Sequence, residues 1–143
     1  MKKTLTTIAT ALIMITSFSS FAAEKANPLK DMESAKVLTT YLEATTLGAV
    51  ELNKFLFTDD FEHHNSANNA TFNKKQYTDF LKANKGVKFA CETRYEIMDQ
   101  SGKACIAKAT MKFDNFTRVD HITLIQTNDG WKVSKVVTTY PIN

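Results

Sequence analysis

The stretch that decides the fold is TRVDHITLIQTNDGWKVSKVV, residues 117–137, in which apolar and polar residues alternate on both sides of Asp129-Gly130. Such alternation is typical of β-strands with one buried face, and Asp-Gly between two alternating segments predicts a two-residue hairpin turn. The turn places even positions of the first strand on the same face as odd positions of the second. The shared face then carries Asp120, Ile122, Leu124, Gln126, Trp131, Val133 and Val137, with Met111 from the preceding strand.

Two further strands are predicted upstream, over Val87–Met98 and Ala104–Phe113, where the odd positions are mainly apolar. A loop of residues 100–102, with glycine at its third position, pairs odd positions with odd positions and sets Asp99 opposite Lys103. Asp114-Asn115 predicts the next two-residue turn. Residues 87–137 therefore predict four antiparallel strands in sequence.

The segments before these strands have helical periodicity. Helices are predicted over Leu29–Leu47, ending at Gly48, and over Ala49–Phe57. A polar segment over Thr58–Ala70 predicts a short strand and a loop. A third helix is expected to begin at Asn73, where Gln76 completes a capping box, and to end at Lys85-Gly86. Helices followed by antiparallel strands predict an α+β fold.

The first 23 residues have the features of a cleaved signal peptide: a positive start, an apolar stretch and small residues near the cut. Cleavage is expected after Ala22 or Ala23, leaving 24–143 as a single domain that is periplasmic or secreted. The apolar stretch is too short and too often interrupted by Thr and Ser for a stable membrane anchor. The whole chain has 143 residues with 18 basic and 15 acidic residues, and the leader holds two of the lysines. This balance does not favour a nucleic-acid partner, which requires a clustered basic face.

The two cysteines allow two interpretations. In an exported protein, composition alone favours a disulfide. The predicted register sets Cys91 opposite Met111 and Cys105 opposite Ile97, about 20 Å apart along the strands. Because a disulfide tolerates only about 7 Å between α-carbons, the register favours two free thiols.

Two stretches carry a resemblance to a known superfamily. They are ESAKVLTTYLEATTLGAVELNKFLFTDDF, residues 33–61, and the strand pair quoted above. Together they resemble the nuclear transport factor 2-like superfamily, in its putative lumazine-binding or SnoaL-like branches. The resemblance implies a cone-shaped domain with helices packed on a curved antiparallel sheet, a ligand pocket between them, and a homodimer formed through the outer face of the sheet.

Asp120 is the leading candidate for chemistry, because the register places its carboxylate on the predicted cavity wall. Burial would raise its pKa and suit it to proton transfer, as pocket acids act in ketosteroid isomerases and polyketide cyclases that resemble this family. The alternative is a structural carboxylate paired with Arg118, Lys135 or a helix hydroxyl. The predicted pocket residues are Tyr41, His63, Tyr95, Asp120, Ile122, Trp131 and Lys135.

A metal site is not predicted. His63 and His64 lie beside Asp59, Asp60 and Glu62, but neighbouring side chains on a strand point to opposite faces and His121 is expected on the outer face. The sequence also lacks a glycine-rich phosphate loop, a nucleophile elbow, a CxxC pair and a His-Glu-x-x-His motif. No cofactor is therefore expected.

These observations favour a non-catalytic exported domain that binds an unidentified small, partly apolar molecule or serves as an accessory dimer. The alternative is a cofactor-free isomerase, cyclase or dehydratase that uses Asp120 as acid or base, assisted by Tyr41, Tyr95 or a histidine. A third interpretation is a protein-interaction module whose largest apolar patch lies on the outer sheet face around Ile125.

Overall fold

The computed structural model describes residues 25–142, so the predicted signal peptide lies outside the described residues. The described part has an α+β architecture, as predicted. Its elements are α1 (Ser34–Thr46), α2 (Asn53–Leu56), β1 (Phe57–Asn65), β2 (Ala70–Asn73), α3 (Lys74–Ala83), β3 (Glu92–Ser101), β4 (Ala104–Lys112), β5 (Thr117–Thr127) and β6 (Gly130–Thr139).

The strands form one curved, unclosed sheet of six strands in the order β2-β1-β6-β5-β4-β3. The pairing of β1 with β6 is parallel, and the other pairs are antiparallel. This central parallel pair was not predicted, because sequence patterns reveal neighbours along the chain more readily than distant ones. Residues of α1 and α3 share one buried core with the inner face of the sheet.

Local chemistry sets the helix ends. Asn73 accepts a hydrogen bond from the backbone of Gln76, whose side chain accepts one from the backbone of Asn73, which confirms the predicted capping box. α1 ends beside Gly48, which has a φ of 65°. Its start was predicted too early: backbone bonds from Lys30 to Asn27 and from Met32 to Leu29 make separate turns before the helix.

The predicted second helix is also too long. Only Asn53–Leu56 is helical, and β1 begins at once with Phe57, which pairs with Val133. β1 then continues to Asn65, well beyond the predicted short strand. Tertiary pairing with β6 here overrides the helical pattern of the local sequence.

The hairpin of β3 and β4 has a different register from the predicted one. Ser101 pairs with Ala104, so a two-residue turn replaces the predicted three-residue loop. A register shift between Ile97 and Asp99 then restores the odd-with-odd pairing, and Tyr95 lies opposite Ala109. The bulge inserts one residue into β3. Between the bulge and Glu92, odd residues of β3 therefore pair with odd residues of β4, as predicted, but each residue has a different partner from the predicted one.

The hairpin of β5 and β6 contains the second unpredicted bulge. Thr127 pairs with Gly130, so the turn residues are Asn128 and Asp129. Leu124 pairs with Val133 and Thr123 with Lys135, leaving one extra residue in β6. Beyond this point the buried positions of β6 are even, and Val136 and Thr138 replace the predicted Val137 on the inner face.

Both cysteines are free thiols, as the strand geometry predicted. Cys105 pairs with Gln100, whereas Cys91 precedes the opposite end of β3. Within residues 25–142, no helix is long and apolar enough to cross a membrane.

Candidate functional site

Asp120 lies at the centre of a buried polar network. Arg118 and Thr138 lie beside it. Arg118 is two residues away on the same face of β5, and Thr138 is the direct partner of Asp120 on β6. Arg118 donates from Nε to Oδ1 and from Nη2 to Oδ2, both at 2.9 Å. Thr138 donates to Oδ1 at 2.7 Å, and Tyr41 donates to Oδ2 at 3.3 Å. Four donors thus satisfy a side chain with no exposed surface.

The ion pair keeps Arg118 charged inside the protein. Burial alone would lower the pKa of Arg118, but the charge of Asp120 and its hydrogen bonds outweigh burial and raise that pKa above its ordinary value. The side chain of Arg118 is 17% exposed, so the guanidinium lies between the buried carboxylate and the surface. The bidentate ion pair uses Nε and Nη2 of Arg118, so Nη1 does not bond Asp120.

Two tyrosines extend the network toward the helices. Tyr41 of α1 donates its proton to Asp120, so Tyr77 of α3 donates to the Tyr41 oxygen at 3.2 Å. Burial raises the pKa of both phenols, which keeps them protonated as donors. One chain of hydrogen bonds therefore joins α3, α1 and β5.

His63 is the end of the network with an unused polar atom. The hydroxyl of Thr138 donates its one proton to Asp120. Its oxygen Oγ1 therefore accepts a hydrogen bond from Nε2 of His63 at 2.9 Å. Burial, followed by the positive charge of Arg118, lowers the pKa of His63 to about 4. The ring is therefore neutral at pH 7, with the proton on Nε2 and a lone pair on Nδ1. This Nδ1 is buried and has no hydrogen-bond partner among residues 25–142.

A small pocket of about 170 Å³ opens beside this network. The His63 ring lies parallel to Tyr77, with ring centroids 4.6 Å apart, and to Phe72 at 6.1 Å. The wall therefore combines stacked aromatic rings with four members of the polar network, His63, Tyr77, Arg118 and Thr138. The lining residues are His63, Asn65, Phe72, Tyr77, Phe80, Arg118, Thr138 and Tyr140.

The structure brings three of the predicted pocket residues together: Tyr41, His63 and Asp120. Of these, only His63 lines the pocket, and Asp120 lies behind Arg118 and Thr138. Ile122 and Trp131 belong to the hydrophobic core.

Two predicted positions are corrected. Tyr95 is 46% exposed, because it lies on β3, the strand at the edge of the sheet. Lys135 is exposed and pairs with Thr123, because the bulge in β6 turns its side chain to the outer face. Neither residue lines the pocket beside His63.

Sequence reasoning missed most of the pocket. Phe72 lies in β2, Phe80 lies within α3, and Thr138 and Tyr140 follow the bulge in β6, so no single periodic pattern links them. Arg118 was predicted as a possible partner of Asp120 and not as a pocket residue, and the structure confirms the pairing, since residues two apart on a strand share a face. His64 bonds Thr71 on the neighbouring strand, and residues 25–142 contain no cluster of three or more possible metal ligands.

Comparison with solved structures defines the fold class. A protein of unknown function from Silicibacter pomeroyi DSS-3, described as NTF-2 like, aligns with a TM-score of 0.62 and 10% identity over 75% of this chain and 92% of its own. An NTF2-like protein of unknown function from Methylobacillus flagellatus KT aligns with a TM-score of 0.61 and 21% identity, over 76% and 89%. A cystatin-like fold protein from Burkholderia xenovorans LB400 gives 0.62 and 13%, over 76% and 89%. The chain thus has the nuclear transport factor 2-like fold.

The family assignment is more specific. The sequence model described as putative lumazine-binding matches residues 30–139. The chain belongs to this family, which confirms the resemblance found in the sequence. No curated protein matches the chain by sequence.

Proposed function

We propose that this protein is an exported, non-catalytic domain that binds a small, partly apolar molecule in the pocket beside His63 and Arg118. The observation that carries the proposal is that the His63 ring lines this pocket while its buried Nδ1 has no hydrogen-bond partner within residues 25–142. A buried acceptor without a partner costs about 1–3 kcal/mol, and a ligand N–H or O–H group would remove that cost.

The pocket walls support a ligand with both a flat apolar part and a polar group. Phe72, Tyr77 and Phe80 present aromatic surface, and Arg118 adds a charged donor. The volume of about 170 Å³ is below the roughly 300–1,000 Å³ typical of drug-sized ligands, so the occupant is a small molecule or one end of a larger one. The description of the family as putative lumazine-binding is consistent with ligand binding of this kind.

The hydrogen bonds of Asp120 argue against the catalytic alternative. An ionised carboxylate has about four acceptor positions, and four donors of the protein occupy those of Asp120. A general base must reach the proton that it removes, within hydrogen-bond distance or through one water. Arg118 and Thr138 lie between Asp120 and the pocket, so we assign Asp120 the role of positioning Arg118.

Native mass spectrometry of the protein purified from the periplasm of a Gram-negative host tests the proposal. We expect a bound small molecule that is lost on denaturation. His63→Phe keeps a flat ring but removes the acceptor, and should lose the molecule. The matched variant His121→Phe alters an exposed residue of β5 and should retain it. An empty wild-type protein, or equal retention by both variants, contradicts the proposal.

A further inference from the structure

An open groove lies beside a face of α3 that the pocket beside His63 does not use. Lys74, Thr78 and Lys82 follow one another at four-residue spacing along α3, so their side chains share this face and line the groove. Tyr77, which lines the pocket beside His63, lies on a different face of the helix. α2 and the turn before it form the other wall. The groove has a volume of about 490 Å³ and shares no lining residue with that pocket.

The groove concentrates positive charge. Four lysines and two acidic residues line it, and one of these acids, Asp79, already pairs with Lys75 outside the wall at 2.7 Å. A cleft lined by charges of one sign attracts ions of the opposite sign, and lysine is a common ligand of phosphate groups. Three of the lysines have no carboxylate partner within residues 25–142: Lys54, Lys82 and Lys85.

Three such ammonium groups favour a ligand group with more than one negative charge. A phosphate monoester carries close to two negative charges at pH 7 and three strong acceptor oxygens, whereas a single carboxylate carries one charge. The charge of the groove therefore favours a phosphate group.

Asn53 adds a hydrogen-bonding group to the wall. It is the only buried residue among those that line the groove, with 8% of its surface exposed. Its backbone N–H donates to the carbonyl of Val50 at 3.1 Å, but its side-chain Oδ1 is buried and has no hydrogen-bond partner within residues 25–142. The terminal torsion of asparagine is broad, so a half turn exchanges Oδ1 with Nδ2. A hydroxyl group of a ligand in the groove can then donate to Oδ1.

We propose that the groove between α2 and α3 binds a phosphomonoester that also carries hydroxyl groups, the class to which sugar phosphates belong. The ammonium groups of Lys82 and Lys85 hold the phosphate, and the amide of Asn53 binds a hydroxyl group. The volume of about 490 Å³ lies within the roughly 300–1,000 Å³ of small-molecule sites. This site is separate from the pocket beside His63, so either site can exist without the other.

Isothermal titration calorimetry with three probes tests the two parts of the site. Glucose 6-phosphate offers both a phosphate and hydroxyl groups, inorganic phosphate offers only the anion, and glucose offers only hydroxyl groups. We expect glucose 6-phosphate to bind with a Kd below about 1 mM, at least about threefold tighter than inorganic phosphate, because of the added hydrogen bond. Glucose should not bind. Added sodium chloride should weaken both anions, since exposed charges are screened.

Substitutions separate the anion from the hydroxyl. The double variant Lys82→Gln with Lys85→Gln should weaken both phosphate probes at least about tenfold, because it removes two charged donors. Asn53→Leu should reduce the affinity for glucose 6-phosphate to that for inorganic phosphate and leave inorganic phosphate unchanged. The matched control, Lys103→Gln with Lys112→Gln, removes the same charge from exposed lysines outside the groove and should leave both affinities unchanged.

Circular dichroism should show that each variant is folded, and the lysine substitutions alter only exposed side chains. No binding of glucose 6-phosphate at 1 mM would overturn the proposal. So would inorganic phosphate that binds as tightly as glucose 6-phosphate, which would indicate an unspecific anion site, or equal weakening by the two double variants, which would indicate a general effect of net charge.

Discussion

Asp120 is stabilised by pairing rather than by exposure. Its carboxylate is fully buried and accepts four hydrogen bonds, two of them from the forked guanidinium of Arg118. Burying two charges is costly, and the cost is met only when the geometry is good and the remaining polar atoms are satisfied. The same arrangement fixes Arg118 and Thr138 where they line the pocket.

We predict that Asp120→Asn lowers the free energy of unfolding by about 3–5 kcal/mol, because it leaves the guanidinium of Arg118 buried without a counter-ion. The double variant Asp120→Leu with Arg118→Met removes both charges and should cost less than the single substitution. Urea unfolding followed by circular dichroism measures both. A double variant that is less stable than Asp120→Asn would contradict the assignment of the pair.

His63 makes stability depend on pH. Its pKa is about 4 in the folded protein and about 6.5 in an unfolded chain. As the pH falls from 6.5 to 4, the unfolded state binds a proton that the folded state does not, so stability is lost across this range, by up to about 3 kcal/mol. We predict that His63→Phe removes this contribution, measured by urea unfolding at pH 7 and pH 4.5.

Phe72→Leu is the control for this prediction. It alters packing against the His63 ring without removing a titratable group, so the pH dependence of its stability should follow that of the wild-type protein. If His63→Phe and the wild-type protein lose the same free energy between the two pH values, protonation of His63 does not contribute.

At the level of elements, the β-bulges separate the strand positions that the sequence predicted correctly from those that it did not. Period-two patterns gave the inner face of β5 correctly, so Asp120, Ile122 and Leu124 are buried as predicted. A bulge leaves no clear mark on that pattern, because it adds one residue and reverses the parity beyond it. The reversal in β6 exposed Lys135 and brought Thr138 to Asp120.

The contact of α1 with the connection from α3 to β3 rests on Gly48. A β-carbon there would lie 2.4 Å from the backbone nitrogen of Gly86, and the φ of 65° is unfavourable for other residues. We predict that Gly48→Ala costs at least about 2 kcal/mol of unfolding free energy. Gly102 also has a positive φ, but the space around it is open. Gly102→Ala should therefore cost only about 1 kcal/mol of unfolding free energy. Equal costs in urea unfolding would show that the close approach is unimportant.

At the level of the whole molecule, two free thiols are unusual for a protein predicted to be exported, where cysteines commonly form disulfides. The sheet itself keeps them apart, since Cys91 precedes one end of β3 and Cys105 faces Gln100 near the other. Cys105 behaves as a small core residue: it is buried beside its β5 partner Leu124, and burial raises the pKa of its thiol. Export remains a prediction.

Because Cys105 is buried and Cys91 is partly exposed, the labelling rate of Cys105 reports global unfolding. In the native protein without reductant, we predict that iodoacetamide modifies the partly exposed Cys91 quickly and Cys105 only when the sheet opens. The modification rate of Cys105 should rise with urea in parallel with the equilibrium unfolding measured by circular dichroism, and intact mass should show two labels in denaturant. Cys91→Ser, as the control, should keep the slow phase alone. Unlabelled cysteines in denaturant would instead reveal a disulfide, and fast labelling of Cys105 in native buffer would show that its part of the core opens locally.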